Sequence, residues 1–528
     1  MTANWWRDAV LYQIYPRSFA DSNGDGIGDL KGITEHLDHL AWLGIDAVWL
    51  NPVMQSPNTD WGYDVSDYCD VHPDLGSLDD FDELVREADA RQIKILNDLV
   101  PNHTSDQHSW FRQARMSRDA PYRDWYVWAD PTEDGAHPNN WVSSFGGDAW
   151  TLDETTGQYY LHLFLPTQPD LNWWNEDVAD AFDDILRFWF DRGVSGFRLD
   201  VCHAIVKDRE LRDNPPSTDE DPIAVQLFGQ KHVYSSNRPE VHDVLKRWRK
   251  LAKSYDPERV LLGETYVWDL ASLSAFYGAR NDELHLAMNI PFVSSRFEAG
   301  PLKTIVENTH EMLPRHAWPT WMASNHDATR FATRWCEDDE RKIRCALMML
   351  LTLRGTPLLG YGDEIGLPNI EITEEQLLDP VGVRFWPAYK GRDPGRSPMQ
   401  WTSARGAGFT RDGVQPWLPF ANPAACNVAD QKADPSSILH LCRDLIALRR
   451  ERKDLHAGTY RTRSSPEATW VYTRGQKTVV ALNLSDDEVK ISRLRGTIAL
   501  STGRDRDGQS FDGGLELGPW EGAVVERP

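Results

Sequence analysis

Two hydrophobic periods alternate along the first hundred residues. Val10 to Phe19 (VLYQIYPRSF) reads as a strand, and Ile33 to Leu43 follows as a helix with Ile33, Leu37, Leu40 and Ala41 on one face. Ala47 to Val53 (AVWLNPV) is a second strand. A helix starting near Ser77 carries Phe81, Leu84, Val85 and Ala88 as its apolar stripe, and Ile93 to Val100 (IKILNDLV) is a third strand. This order predicts a parallel sheet covered by helices.

Residues 104–171 break the pattern. Trp, Tyr, Pro, Gly and Asp dominate there and the helical period disappears. A structureless loop of that length is uncommon inside a domain, so the stretch reads as an inserted subdomain. Alternation resumes with a helix over Asp177 to Asp191, whose inner face is Val178, Phe182, Ile185, Leu186 and Trp189. Gly196 to Cys202 (GFRLDVC) is strand four and Arg259 to Tyr266 (RVLLGETY) strand five. Leu284 to Ile290, Trp318 to Ser324 and Thr356 to Tyr361 supply three weaker strands. Eight units predict an α/β fold, a closed (β/α)8 TIM barrel with insertions. Asp434 to Arg450 is a final helix with Ile438, Leu441, Leu445 and Leu448 inward. Beyond residue 456 only short strand-like runs remain, such as Thr478 to Leu484 and Gly522 to Val525, which predict a C-terminal antiparallel β-sandwich. The expected domains are 1–103 with 172–455 for the barrel, 104–171 for the insert and 456–528 for the sandwich.

Composition narrows the function. With 41% apolar and 11% aromatic residues, the chain can bury a large core. A formal charge of −25 disfavours nucleic acid and anionic membranes and favours a small neutral substrate. The 23 tryptophans offer stacking faces for sugar rings as well as core volume. The first residues show no basic region followed by an apolar run, and the longest apolar run, Cys345 to Leu353, is too short to span a bilayer. Six scattered cysteines with no Cys-x-x-Cys pattern read as reduced thiols, so a cytoplasmic protein is expected; oligomeric state is left open.

In strand four, Arg198 and Asp200 share one face, because strand side chains alternate. Such a pair is costly in a hydrophobic segment unless it is matched or used. A core ion pair is one reading. The other comes from neighbouring strand ends: DLVPNH (Asp98 to His103), Gly263-Glu264, and Ser324-Asn325-His326-Asp327 also carry polar groups there. Barrel chemistry sits at these ends. Three converging carboxylates with Arg and His, and no metal motif, point to glycoside hydrolysis by a nucleophile and an acid. Arg198 is placed to keep Asp200 ionised by lowering its pKa, and burial at the end of an apolar strand is expected to keep Glu264 protonated.

The ordered motifs DLVPNH, QPDLN (Gln168 to Asn172), GFRLDVCHA (Gly196 to Ala204), GETY (Gly263 to Tyr266) and SNHD (Ser324 to Asp327) resemble the α-amylase family, glycoside hydrolase family 13, in its α-glucosidase and oligo-1,6-glucosidase branch. GYDVSDY (Gly62 to Tyr68) and GRSPMQW (Gly395 to Trp401) match as well, so the resemblance spans nearly the whole chain. It implies Asp200 as nucleophile, Glu264 as acid/base and Asp327 as transition-state stabiliser holding ring hydroxyls. It also implies that His103, Arg198 and His326 line the same subsite, with Asp60 and Tyr63 as its floor. Arg396 matches the arginine that pairs with Asp60, a pair that would seal the pocket around a terminal glucose and make the enzyme exo-acting. Phe145 and Phe164, in the insert, pack either on the sugar or within the insert's own core. Asp98 and Asn102 are expected to brace their neighbours rather than touch substrate.

The loop from Asp21 to Asp29 (DSNGDGIGD) alternates oxygen donors with glycines, as calcium loops do, but lacks the closing Glu of an EF-hand. The resemblance implies one structural Ca²⁺ or Mg²⁺ held by Asp21, Asn23, Asp25, Asp29 and the Ile27 carbonyl; a metal-free acidic turn is the alternative. For the reaction, the expectation is a retaining α-glucosidase on short maltose-like α-1,4 substrates. α-1,6 cleavage, glucosyl transfer and isomerisation to trehalose are alternatives on the same carboxylates. Val201, after the nucleophile, favours α-1,6 by resemblance, whereas Arg209 to Pro216 (RELRDNPP) favours α-1,4.

Overall fold

The computed structural model describes residues 4–528. Eight parallel strands form the central sheet: β1 (Leu11–Ile14), β2 (Ala47–Leu50), β3 (Lys94–Leu99), β4 (Gly196–Leu199), β5 (Val260–Gly263), β6 (Leu286–Ala287), β7 (Thr320–Met322) and β8 (Thr356–Gly360). Their spatial order is β6-β5-β4-β3-β2-β1-β8-β7. A parallel bridge from Met288 to Thr320 joins the two ends and closes the barrel. Every residue of β1, β2, β4, β5, β7 and β8 is buried, as expected of strands with a filled interior on one side and helices on the other.

The helices form where periodicity and caps agree. α1 (Leu78–Ala90) starts at Ser77, whose side chain and that of Asp80 close a capping box, and buries Phe81, Leu84 and Ala88. α2 (Glu176–Asp191) starts at the Asn175 cap and buries Phe182, Ile185, Leu186 and Trp189. α3 (Ile223–Leu227) is a short helix that buries none of its side chains. α4 (Val241–Lys253) buries Leu245 and Trp248. α5 (Glu340–Thr352) contains the longest apolar run and buries all of Cys345 to Thr352. α6 (Ile438–Glu451), capped by Ser437, packs beside it.

The sequence pattern overstates several elements. The first strand stops at Ile14, because Pro16 opens a 3-10 turn. The expected helix over Ile33 to Leu43 is two, Leu30–Glu35 and Leu37–Leu43, broken at His36. β6 keeps two residues only, Leu286 and Ala287, of the expected Leu284 to Ile290.

Between β3 and α2 the chain forms a three-stranded antiparallel sheet, with Gln158–Leu161 between Trp128–Ala129 and Trp150–Asp153. After α6 come six antiparallel strands and a further pair, Val489–Ser492 with Gly514–Leu517. Val471, Val479, Ile491, Leu515 and Val525 pack between these two sheets. The Thr352 and Tyr472 hydroxyls, 2.6 Å apart, tie this layer to the end of α5.

Candidate active site

Register brings the charges together. Asp98 on β3 is the direct neighbour of Arg198 on β4, and Leu262 on β5 flanks Arg198 on the other side. The ladder continues past the strand ends. The Asp200 N–H donates to the Leu99 carbonyl at 2.8 Å and the Glu264 N–H to the Leu199 carbonyl at 2.9 Å. Both carboxylates therefore leave the C-terminal rim of the barrel side by side.

Arg198 is fully buried and touches three carboxylates. Its Nη1 donates to Asp200 Oδ1 at 2.6 Å and to the two Asp98 oxygens at 3.0 and 3.2 Å, and its Nη2 lies 2.8 Å from Glu264 Oε2. The guanidinium also lies 4.9 Å from the Trp49 ring centre. Asp98 accepts further bonds from Trp49 Nε1 (3.0 Å) and the Tyr63 hydroxyl (3.1 Å), so it braces the cluster from behind.

One cation among three buried carboxylates cannot keep all of them ionised. Burial pushes Asp98 up to about 7, against the pull of Arg198. Burial also raises Asp200 and Glu264, again opposed by Arg198. Arg198 does lower Asp200, as expected, but desolvation outweighs it, which makes room in the cluster for a proton. Geometry favours Glu264 as its carrier. Asp200 receives an aligned guanidinium hydrogen bond, whereas the Nη2 facing Glu264 makes no well-directed one. The Val201 N–H and Arg198 both address Glu264 Oε2, the former at 2.9 Å, which leaves Oε1 for an acidic proton. Val201 itself has φ of +32°, rare for a β-branched residue.

Asp327 behaves differently. Burial works to raise it, but His326, Arg392 and Arg396 hold it well below the usual carboxylate range. His326 is pushed down to about 4 by burial, so near neutral pH it is a neutral donor and the arginines carry the charge. The Gln13 amide nitrogen lies 2.9 Å from His326 Nδ1; if it donates there, the ring proton stays on Nε2, 3.1 Å from Asp327 Oδ2. Tyr63 stacks flat on His326, with ring centres 5.1 Å apart.

The sequence resemblance is corrected at one position. Asp60 pairs with Arg392 Nη2 at 2.6 Å, not with Arg396. Arg396 instead donates to the His326 carbonyl (2.9 Å) and approaches Asp327 at 3.4 Å, so it holds the Ser324–Asp327 turn. Arg392 also reaches Asp379 (2.7 Å) and Asp327 (3.2 Å) and lies 5.0 Å from the Phe145 ring centre. It stands four residues before Arg396 in GRDPGRSPMQW. The motif was visible, but two arginines one turn apart compete for one partner and only the fold chooses between them. Gln168 was also passed over as a contact; its amide nitrogen donates to Asp60 at 3.1 Å and lies 3.1 Å from His103 Nε2. His103 is driven down to about 3 by burial and is neutral. Asn102 is a brace: it accepts from Lys207 Nζ (2.5 Å) and donates to Asp170 (3.1 Å).

These residues surround one pocket of about 540 Å³. Asp60, Tyr63, His103, Phe145, Phe164, Asp200, Glu264, His326, Asp327 and Arg392 all reach its wall, whereas Arg198 and Arg396 stand behind it. Phe164 packs between His103 and Phe145, at 5.1 and 5.4 Å between ring centres. Both phenylalanines are half-buried and face the pocket, and Phe164 also packs against the apolar cluster of the insert.

None of residues 21–29 lines the pocket. Asp21 accepts from the Gly24 and Gly26 N–H groups at 2.6 and 2.8 Å, and Asp29 caps the next helix through the Gly32 N–H at 2.6 Å. Asp25 accepts from the Ile27 N–H, and Asn23 Oδ1 from the Asp25 N–H. Gly26 has φ of +92°, and a Cβ there would meet the Gln415 carbonyl at 2.2 Å. The donors are hard oxygens suited to a divalent cation, and lone pairs remain on each. Among the described residues, however, no three His, Cys, Asp or Glu side chains converge as a metal cluster. The described cysteines are all unpaired thiols, and no helix is long and apolar enough to cross a membrane.

A closed barrel with this carboxylate cluster at its C-terminal rim defines a glycoside hydrolase. Residues 13–458 match the model of the alpha amylase catalytic domain, and the chain belongs to the α-amylase family, glycoside hydrolase family 13. It is 42% identical over 522 residues to a probable alpha-glucosidase of Rhizobium meliloti (strain 1021), covering 93% of this chain and 92% of that one. An oligo-1,6-glucosidase of Parageobacillus thermoglucosidasius is 37% identical over 567 residues, covering 99% of each. The solved structure of the alpha-glucosyl transfer enzyme XgtA superposes with a TM-score of 0.92 at 40% identity, covering 99% of this chain and 100% of that one.

Proposed function

We propose that this protein is a retaining, exo-acting α-glucosidase that removes the terminal glucose from short maltose-like α-glucosides. The observation that carries the reading is the pair Asp60–Arg392, with Phe145 stacked on it, at the wall of a pocket that also holds Asp200 and Glu264. A charged pair of this kind offers donors and acceptors to the hydroxyls of a chain end and leaves no path for a longer glycan. Asp200 attacks C1 from one face while Glu264, through Oε1, protonates the departing oxygen. One guanidinium contacts both carboxylates, which supports the close spacing a double displacement uses. Glu264 then takes a proton from water, which opens the glucosyl–Asp200 ester. Asp327, charged and flanked by two arginines, binds ring hydroxyls as positive charge develops at C1.

A second reading, preference for α-1,6 bonds, is favoured by Val201 beside the nucleophile and by the oligo-1,6-glucosidase relative. Comparing kcat/KM on maltose and isomaltose decides: higher values on maltose are expected, and a strong isomaltose preference replaces α-1,4 with α-1,6. A single Ca²⁺ or Mg²⁺ held by Asp21, Asn23, Asp25, Asp29 and the Ile27 carbonyl is part of the same proposal. Its role is to cross-link the first loop, remote from the chemistry.

A further inference from the structure

Behind the pocket wall, a chain of hydrogen bonds runs from Asp98, at the back of the nucleophile, to Asp327. We propose that Gln13, on β1, is a positioning residue that holds His326 in the one neutral form able to donate to Asp327. It thereby sets the hydrogen bonding of the transition-state stabiliser. The proposal rests on the α-glucosidase reading of the pocket.

Gln13 and Asn51 are buried, and neither lines the pocket. Gln13 is held in the barrel between Trp49 on β2 and Gly360 on β8. The chain of bonds through it has a fixed direction. Trp49 and Arg198 can only donate, and they address both oxygens of Asp98, so Asp98 accepts from the Tyr63 hydroxyl at 3.1 Å. With its proton used there, that hydroxyl accepts from Asn51 Nδ2 at 2.7 Å. Asn51 Oδ1 therefore faces Gln13 and accepts from its Nε2 at 2.7 Å. The second proton of the same amide nitrogen is left for His326 Nδ1, 2.9 Å away. A ring N–H at that position would oppose another N–H. Nδ1 therefore carries the lone pair and Nε2 the proton, 3.1 Å from Asp327 Oδ2.

The other tautomer would set a ring lone pair against a carboxylate that stays ionised. Packing resists a ring flip. Tyr63 and Tyr15 lie nearly parallel to the imidazole at 5.1 and 6.2 Å, and Trp49 meets it edge on at 5.8 Å. The charged groups around the ring are Asp327, Arg198 and Arg396. Burial, helped by the two arginines, outweighs Asp327 and keeps the ring neutral. The choice of tautomer then falls to Gln13. A side chain with a single donor could not serve Asn51 and His326 together.

The test compares kcat/KM of whole-enzyme variants with that of the parent on p-nitrophenyl α-glucoside across pH. In Gln13→Glu the new carboxylate accepts from Nδ1–H. Neutral His326 then turns its Nε2 lone pair to Asp327, whereas protonation of the ring restores the Nε2–H. The carboxylate also raises the pKa of His326, so the restored form is present below that pKa and lost as pH rises through it. The ratio of variant to parent is expected to climb about tenfold from about pH 8 to about pH 5. Structural damage alone would lower the ratio equally at every pH. Gln13→Met keeps the length of the side chain without the amide, and its ratio is expected to be down about tenfold and flat with pH. A flat ratio in Gln13→Glu, or a methionine variant within about twofold of the parent, overturns the proposal. Should the glutamate variant not fold, the methionine variant decides alone: a loss of turnover at an unchanged melting temperature supports the proposal, and a loss that only follows a lowered one overturns it. Absence of turnover by the parent overturns the α-glucosidase reading itself and this proposal with it.

Discussion

Val201 concentrates two demands on one residue. Its φ of +32° turns its N–H onto Glu264 Oε2, and its side chain reaches the pocket wall beside the nucleophile. A left-handed residue with a Cβ is strained by about 1–2 kcal/mol, so Val201→Gly is expected to be more stable than Val201→Ala by about 1 kcal/mol, the reverse of the usual order. Urea midpoints of the two variants check this, and equal midpoints would deny the strain. Asp98 acts by charge. Asp98→Asn removes a negative neighbour of Asp200 and Glu264 and frees Arg198 for them. Both effects lower the pKa of the acid, which is protonated below its pKa and lost as pH rises through it. The alkaline limb of kcat/KM against pH should therefore move to lower pH by about one unit. A limb that stays in place would show that Asp98 is not coupled to the acid. The Arg392→Ala variant leaves Asp60 buried without its cation. We expect kcat/KM to fall about a hundredfold or more, which steady-state kinetics on maltose would read, since breaking a buried pair costs about 3–5 kcal/mol.

At the scale of elements, the legible parts were those fixed by local chemistry. The Ser77 and Asp80 box set the start of α1, whereas the final helix, expected from Asp434, begins only at the Ser437 cap. Strand lengths were less legible, because apolar runs continue past the last ladder bond into the loops that carry the site. The first loop offers a prediction of its own. Its carboxylates already bond to loop N–H groups, so a cation there would stiffen an existing shape rather than create one. Exhaustive chelation should lower Tm while leaving the initial rate at low temperature nearly unchanged; a melting curve that does not move would remove the metal from the proposal. The register of β3 against β4 was beyond sequence reading. A slip of one residue would turn Asp98 away from Arg198, and nothing within either strand alone forbids it.

The molecule as a whole carries a charge of −25 over a pocket for a neutral sugar. Its field should repel an anionic substrate and leave a neutral one unaffected. kcat/KM on maltose is expected to stay constant from low to high salt, whereas a phosphorylated disaccharide should be turned over poorly, and faster as salt screens the repulsion. A salt-dependent maltose rate would place a charge effect in the catalytic step instead. Closure of the barrel by the bridge from Met288 to Thr320 matters to the same pocket, since it brings the β7 end that carries Asp327 into the ring of strands whose ends line it.

The sequence by itself determined the alternation of strand and helix, the family motifs and the three carboxylates, because each is written in a short run of residues. Tertiary structure alone decided that Arg392 rather than Arg396 meets Asp60, that burial outweighs Arg198 at Asp200, and that Phe145 and Phe164 of the insert face the same pocket as the carboxylates. Partner choice, desolvation and cavity shape depend on segments hundreds of residues apart, and no local pattern records how far each charge ends up from water.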